Sequence, residues 1–280
     1  MKAALLLGTA MVLGGGSAAA QSMRTLTAAR PLPVAAPATV ARLDFGAGQV
    51  VLRAGDGSDL YRMVLRYDAD RFQPVQRYDP ETGALQLGVT SIGRGGLRVT
   101  SREQLAQVAR FEFAPEVPLA LHASLGSSEA SMDLGGLTLT ELSVRSGAVR
   151  GIIDFSRPTL GSCTRATFSV GASELDVIRL ANSGCAEVLV EGGVGRAVLD
   201  FNGEWRGDME VEANLAMGQL VLRIPPDVGV QVVAERFLTA VSLEGLIKEG
   251  NSWSSPGFAE ASRKVTVAVK TSLGSLEVVR

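Results

Sequence analysis

The sequence predicts an all-β protein, a parallel β-solenoid with rungs of about 22 residues and two short strands per rung. Three observations lead there. A short phrase, a glycine turn followed by an alternating strand that ends apolar–charged–apolar, recurs along the chain. A second alternating run precedes most copies of it. The composition is 46% hydrophobic but only 5% aromatic, so a core must be built from Leu, Val, Ile and Ala, which suits thin stacked β-layers. The 32 glycines are spread along the 280 residues and supply many turns rather than disorder.

The N-terminus reads as an export signal. Met1-Lys2 is a short basic start, and Ala3 to Leu13 is an apolar run of 11 residues, too short to cross a bilayer. Gly14 to Ser17 break the run. Ala18-Ala19-Ala20 then offers small residues for cleavage, with Gln21 as the new N-terminus. An uncut membrane anchor is the alternative. Residues 1–20 are thus expected to be a signal peptide, and the mature chain to lie in the periplasm or outside the cell without a transmembrane helix. Residues 21–40 are rich in Ala, Pro and Thr without a period, and the expectation is a flexible linker. Two stretches follow: an N-terminal β segment over 41–112, and a repetitive body over 113–280 expected to be continuous with it.

The repeated phrase appears as GAGQVVLRA (46–54), SSEASMDL (127–134), GAVRGIIDF (147–155), SELDVIRL (173–180), GVGRAVLDF (193–201), AMGQLVLRI (216–224) and LGSLEVV (273–279). The apolar residues closing five copies are Leu134, Phe155, Leu180, Phe201 and Ile224, spaced 21, 25, 21 and 23 apart. The preceding runs include LALHAS (119–124), LSVRS (142–146), ATFSV (166–170) and KVTVAVK (264–270). A unit this small cannot bury its own apolar face, and stacking of successive units buries it. An antiparallel sandwich is the competing architecture. Only Asp56-Gly57 and Asn202-Gly203 supply the Asp-Gly or Asn-Gly pairs that tight hairpins prefer, which favours the solenoid.

Period-2 alternation assigns faces. Met132 and Leu134, Ile153 and Phe155, Ile178 and Leu180, Leu199 and Phe201, and Leu222 and Ile224 are expected inside. The residues between them, Asp133, Asp154, Arg179, Asp200 and Arg223, then form one outward charge column. Such a column could be a carbohydrate or cation site. Its alternating signs from Asp154 onward read instead as a salt-bridge ladder, each exposed pair contributing about 0–1 kcal/mol.

Little else carries chemistry. The net charge of −2 gives no footprint for nucleic acid. The single histidine, His122, alternates outward in its strand, and without a nucleophile motif there is no triad to build. No cluster of His, Cys and carboxylates has metal-ligand spacing, so neither a catalytic nor a metal site, nor a cofactor, is expected. Arg94, Arg98 and Arg102 in SIGRGGLRVTSREQ could meet an anionic envelope polymer or be a solvated loop, and Ser101 to Gln104 could cap a short helix through Val108. Trp205 and Trp253 lie by glycine turns, where an aromatic could stack on a sugar or cover a solenoid edge. Cys163 and Cys185 are the only cysteines. They stand 22 residues apart, close to one rung, each just ahead of the first strand of its unit. Stacked rungs are roughly 4.8 Å apart, which suits a disulfide in an oxidising compartment.

The stretch GAGQVVLRAGDGSDLYRMVLRYDADRFQPVQRYDPETGALQLGV (46–89), with Tyr67-Asp68, Pro74 and Tyr78-Asp79, resembles the N-terminal part of bacterial toast-rack domains. VPLALHASLGSSEASMDLGGLTLTELSVRSGAVRGIIDF and VEGGVGRAVLDFNGEW look like that family's body. IPPDVGVQV (224–232), with a closing GSLEV, is similar to the C-terminal domain of cell-wall-active-antibiotic response proteins. The resemblance implies a toast-rack-like solenoid and no catalytic residues. Some members of that broad group are envelope-stress regulators that restrain a membrane histidine kinase through preceding transmembrane helices; here a cleavable leader stands in their place. The function expected is a non-enzymatic envelope protein that presents a solenoid surface to a protein or glycan partner. A polysaccharide-active parallel β-helix enzyme is the alternative.

Overall fold

The computed structural model describes residues 22–92 and 107–280. Among these residues, fifteen strands make one sheet: β1 (Met23–Pro31), β2 (Thr39–Ala54), β3 (Asp59–Asp68), β4 (Phe72–Tyr78), β5 (Ala84–Ser91), β6 (Val108–Phe113), β7 (Leu119–Asp133), β8 (Leu139–Asp154), β9 (Arg165–Ile178), β10 (Glu187–Asp200), β11 (Met209–Arg223), β12 (Gly229–Leu243), β13 (Ile247–Glu249), β14 (Ser252–Ser254) and β15 (Lys264–Val279).

The centre of the molecule is the parallel run β2-β7-β8-β9-β10-β11-β15-β12. From β7 to β11, register partners such as Leu121, Leu142, Ala166, Val188 and Val211 follow at offsets of 21, 24, 22 and 23. Parallel strands this close in sequence must fold back. A straight 15-residue strand would run about 50 Å, whereas the five residues joining β7 to β8 reach at most about 17 Å. Each strand therefore bends on itself and makes most of one coil.

The bend is visible in the burial pattern. In β8, Leu142, Val144 and Ser146 are buried, then Val149, Gly151 and Ile153, so the alternation slips by one residue at Gly147-Ala148. The same slip recurs where Gly46, Gly126, Gly147, Gly171 and Gly193 stack. Each register skips there, and the sequence continues the corner with Ala216 and Ser272. Glycine is required at most of these positions because a Cβ on one rung would collide with the carbonyl oxygen of the rung beneath. At Gly126 that oxygen belongs to Gly46, and at Gly171 to Gly147.

This corrects the expectation of two short strands per rung. The preceding run and the repeated phrase are one continuous ladder strand, because the glycine corner bends the backbone without releasing its hydrogen bonds. Residues 21–40 are not a linker throughout. β1 pairs antiparallel with β3 along its whole length, and ladder hydrogen bonds hold a strand that buries only Ala28.

The first rung is split. β5 covers the first half of β2 and β6 covers the second. Antiparallel β4 then closes β5, while β3 and β1 close β6. At the other end the order departs from simple stacking. β15, the last strand, lies between β11 and β12, and the β13–β14 hairpin pairs with the first half of β12. The core between the two halves of the coil holds Leu121, Phe155, Phe168, Phe201 and Leu222, all fully buried. No helix among the described residues is long and apolar enough to cross a membrane.

Candidate binding surface

The disulfide joins Cys163 and Cys185 with their Cα atoms 4.2 Å apart. The geometry follows from the register. Arg165 pairs with Glu187, and the same offset of 22 carried back two residues sets one cysteine on the other. The amide N–H of Ala186 donates to the carbonyl of Cys163, so the rungs are already paired where the sulfurs meet.

The expected charge column is only partly formed. Asp133 and Asp154 are register partners, and so are Asp200 and Arg223. The residue aligned with Asp154 in β9 is Ile178, not Arg179. Between the end of β9 and the closing Leu180 the chain has one residue more than its neighbours have there. Arg179 takes up that residue in a left-handed conformation, φ 55°, ahead of a 3-10 turn at Leu180–Ser183. Ile178 is consequently half-buried and Val177 takes the inward place. Arg179 still pairs with Asp154, but by reaching back across the rung. The aspartates themselves close turns. Asp133 accepts from the amide of Gly135 and the hydroxyl of Ser156, and Asp200 from the amide and side chain of Asn202.

Trp205 covers the core rather than standing out from the surface. It is 9% exposed and packs on Phe201 with ring centroids 6.4 Å apart, because the turn after β10 folds it over the core. Trp253 sits in β14 opposite Val232, with the ammonium of Lys248 5.2 Å from its ring centroid, at the edge of the sheet. Arg94, Arg98 and Arg102, the signal peptide and the Ser101–Gln104 cap lie outside the described residues. Val108 opens β6 rather than closing a helix.

The best-formed charge ladder lies two outward columns nearer the corner. Glu129, Arg150, Glu174 and Arg196 are successive register partners. Arg150 donates to Glu174 at 2.7 Å, Gln49 donates to Glu129 at 3.4 Å, and Arg196 reaches Asp176 at 3.2 Å. The hydrogen bond from Arg150 to Glu174, with the charges of Glu174 and Glu129 on either side, raises the Arg150 pKa above its ordinary value. The ladder is exposed and adds little stability. These residues carry a signal in the sequence: each stands four places before Asp133, Asp154, Ile178 or Asp200.

The ladder lines a groove of about 730 Å³ across five strands, β2 and β7 to β10. Its apolar part is formed by Val51 and by Ile152, which is 48% exposed. A second, polar groove of about 520 Å³ crosses the first halves of the strands and includes Arg42, His122, Ser143, Arg145 and Thr167. Among the described residues, no group of three or more His, Cys, Asp or Glu could hold a metal ion.

The family model for the N-terminal domain of toast_rack, DUF2154, matches residues 29–178. A comparison with curated protein sequences finds no match. Among solved structures, similarity extends to a candidate cell-adhesion protein from Clostridium sporogenes at 19% identity and TM-score 0.49, covering 91% of this chain and 98% of the other. A candidate adhesin from Bacteroides fragilis matches at 11% identity and TM-score 0.40, covering 93% and 98%. A candidate lipid-binding protein from Parabacteroides distasonis matches at 14% and 0.28, covering 92% and 97%.

Proposed function

The chain belongs to the toast-rack family through its N-terminal domain, and from that premise we propose that it is an exported, non-enzymatic protein of the cell envelope that binds a protein or glycan partner on its outer surface. The observation that carries this reading is the groove along the Glu129–Arg150–Glu174–Arg196 ladder. An exposed aliphatic centre at Ile152 with charges of both signs around it is the arrangement of a protein-binding patch, apolar in the middle and polar at the rim. No aromatic lines the groove, which favours a protein over a sugar. Export is supported by the apolar leader and by the disulfide, a bond that persists in oxidising compartments. A role in envelope-stress response fits the resemblance of residues 224–232 to the cell-wall-active-antibiotic response proteins.

The test compares the mature chain with Ile152→Asp and with the double variant Arg150→Ala, Glu174→Ala. Each is incubated with solubilised envelope proteins and, separately, with purified cell-wall glycan. Binding of a discrete envelope protein that both variants lose is the expected result. Binding unchanged by either variant would place the site elsewhere, and glycan binding lost in the variants would assign the groove to sugars. Turnover of an acidic polysaccharide that fails in Asp154→Asn or Asp200→Asn would establish the enzyme alternative.

A further inference from the structure

The six arginines of β2 and of β7 to β10 fall into two groups. Arg53, Arg150, Arg165 and Arg196 are ion-paired, with Glu112, Glu174, Glu187 and Asp176. Arg42 and Arg145 are exposed, and among the described residues neither side chain forms an ion pair or a hydrogen bond. Both line the polar groove of about 520 Å³. That groove crosses the first halves of the strands, on the other side of the glycine corner from the ladder groove. The register sets out its floor. Arg42, His122, Ser143 and Thr167 are successive partners on β2, β7, β8 and β9. Two residues further along, Asp44, Ser124, Arg145 and Ser169 are successive partners on the same strands. Rungs roughly 4.8 Å apart and columns roughly 7 Å apart put the backbones of Arg42 and Arg145 roughly 12 Å from each other. The hydroxyls of Ser124, Ser143 and Thr167 lie among them, and none is hydrogen-bonded to another described residue. Two carboxylates of the groove are engaged: Asp44 accepts from the amide of Gln86 at 3.1 Å, and Glu191 from the hydroxyl of Ser169 at 2.8 Å. A third, Glu141, is exposed. The only aliphatic side chains lining the groove are the buried Ala123 and the half-buried Leu189.

We propose that this groove binds an acidic polysaccharide, a glycan that carries carboxylates at intervals along its chain. Arg42 and Arg145 each take a sugar carboxylate, because a guanidinium matches a carboxylate with two parallel, charge-assisted hydrogen bonds. Ser124, Ser143 and Thr167 meet the sugar hydroxyls between those charges, since a hydroxyl both donates and accepts. The His122 ring, opposite Arg42, offers an N–H in either protonation state. Asp44, Glu141 and Glu191 accept from sugar hydroxyls but repel a densely charged chain such as polyphosphate. The groove has no exposed aliphatic centre of the kind Ile152 gives the ladder groove, so a protein patch has little to pack against here. Ion pairs hold a charged sugar where no aromatic is present to stack on it. The site shares no residue with the ladder groove and does not depend on what binds there.

The experiment is equilibrium binding of the mature, disulfide-intact chain to fluorescently labelled oligogalacturonate and alginate oligomers. At least one of the two is expected to bind. Methyl-esterifying its carboxyls should weaken binding about tenfold or more. Arg42→Ala and Arg145→Ala should each raise the Kd about tenfold, and the double variant about a hundredfold. Both side chains are exposed and without a partner, so the variants should keep the wild-type melting temperature, which is measured alongside. Arg110→Ala removes an exposed arginine of β6 outside both grooves and should leave the Kd unchanged. Failure of both uronate oligomers to bind would overturn the proposal. So would equal weakening by Arg110→Ala, which would show charge attraction without a site, or tighter binding of polyphosphate than of either uronate. Uronate binding lost in Ile152→Asp and kept in the Arg42 and Arg145 variants would move the sugar to the ladder groove and overturn it too.

Discussion

Replacing Gly126 with alanine would place a Cβ against the carbonyl oxygen of Gly46 on the rung beneath, roughly an ångström inside the 3.0 Å that real Cβ atoms respect. The obstacle is backbone, so no side-chain rotation relieves it. The cost belongs with overpacking of a well-filled site, about 1–3 kcal/mol, and falls at the upper end because the corner joins two ladders at once. The other corner glycines grade the effect. Cβ atoms at Gly171 and Gly193 would also fall inside the limit, while at Gly147 the nearest oxygen is 3.2 Å away and a small shift suffices. At Gly207 nothing lies within 4 Å, and alanine there should be neutral or add about 0.4–1 kcal/mol by restricting the unfolded chain. Urea denaturation of the five single variants, read by circular dichroism, should rank them Gly126 most damaging, then Gly193 and Gly171, then Gly147, with Gly207 harmless. Gly126→Ala as stable as the wild type, or costlier at Gly207 than at Gly126, would refute the corner as the contact that shapes the coil.

The remaining predictions concern the bond, the outer face and acid. Cys163→Ser with Cys185→Ser should cost roughly 3 kcal/mol, the chain entropy of a loop of 22 residues, measured by the same denaturation; unreduced mass spectrometry of the wild type should find no free thiol. His122→Ala, on the outer face of β7, and Arg150→Ala should each move stability by no more than about 0.5–1 kcal/mol, against about 3–5 kcal/mol for Phe168→Ala in the core. Asp56 is held below the ordinary carboxylate value by the hydroxyl and amide of Ser58, and Asp79 by the hydroxyl of Thr82 and the amide of Glu81. Both folded pKa values are depressed, so their contribution is present above the ordinary value of 3.8 and lost as pH falls through the lower, folded value. Carboxyl titration by NMR should find both midpoints below the ordinary value, and Asp79→Asn should flatten the acid limb of the stability curve.

The parallel ladder was legible because glycine corners and apolar–charged–apolar endings repeat at fixed places within each rung. Cys163 and Cys185 were legible for the same reason, being one rung apart and ahead of equivalent strands. What escaped reading was everything that depends on a single residue of phase. Arg179 looks equivalent to Asp154 and Asp200 in the sequence, yet one extra residue in a left-handed conformation removes it from the column. Trp205 sits among turn residues and is buried all the same, because Phe201 draws it onto the core. β1 has the composition of a linker, and only its partner β3, some forty residues away in sequence, makes it a strand. The ladder through Arg150 recurs at 21, 24 and 22 residues, and the extra residue at Arg179 shifts Glu174 by one relative to its phrase end Leu180, so only the register aligns it.

The placement of β15 changes what the C-terminal end is. In a solenoid built in simple sequence order, the last strand would be the outermost and the least consequential. Here β15 is hydrogen-bonded along nearly its whole length to β11 on one side and β12 on the other, so the final residues of the chain form an interior rung. β12 is then joined to the coil chiefly through a strand that comes after it, and the order of synthesis runs against the order of stacking. The last full-length rung at this end, β12, is therefore earlier in sequence than the strand beneath it. The outer groove, by contrast, lies over β2 and β7 to β10, strands whose neighbours are all in place on both sides. The groove thus lies on the part of the coil that is braced on both sides, where the rungs hold its side chains in fixed places.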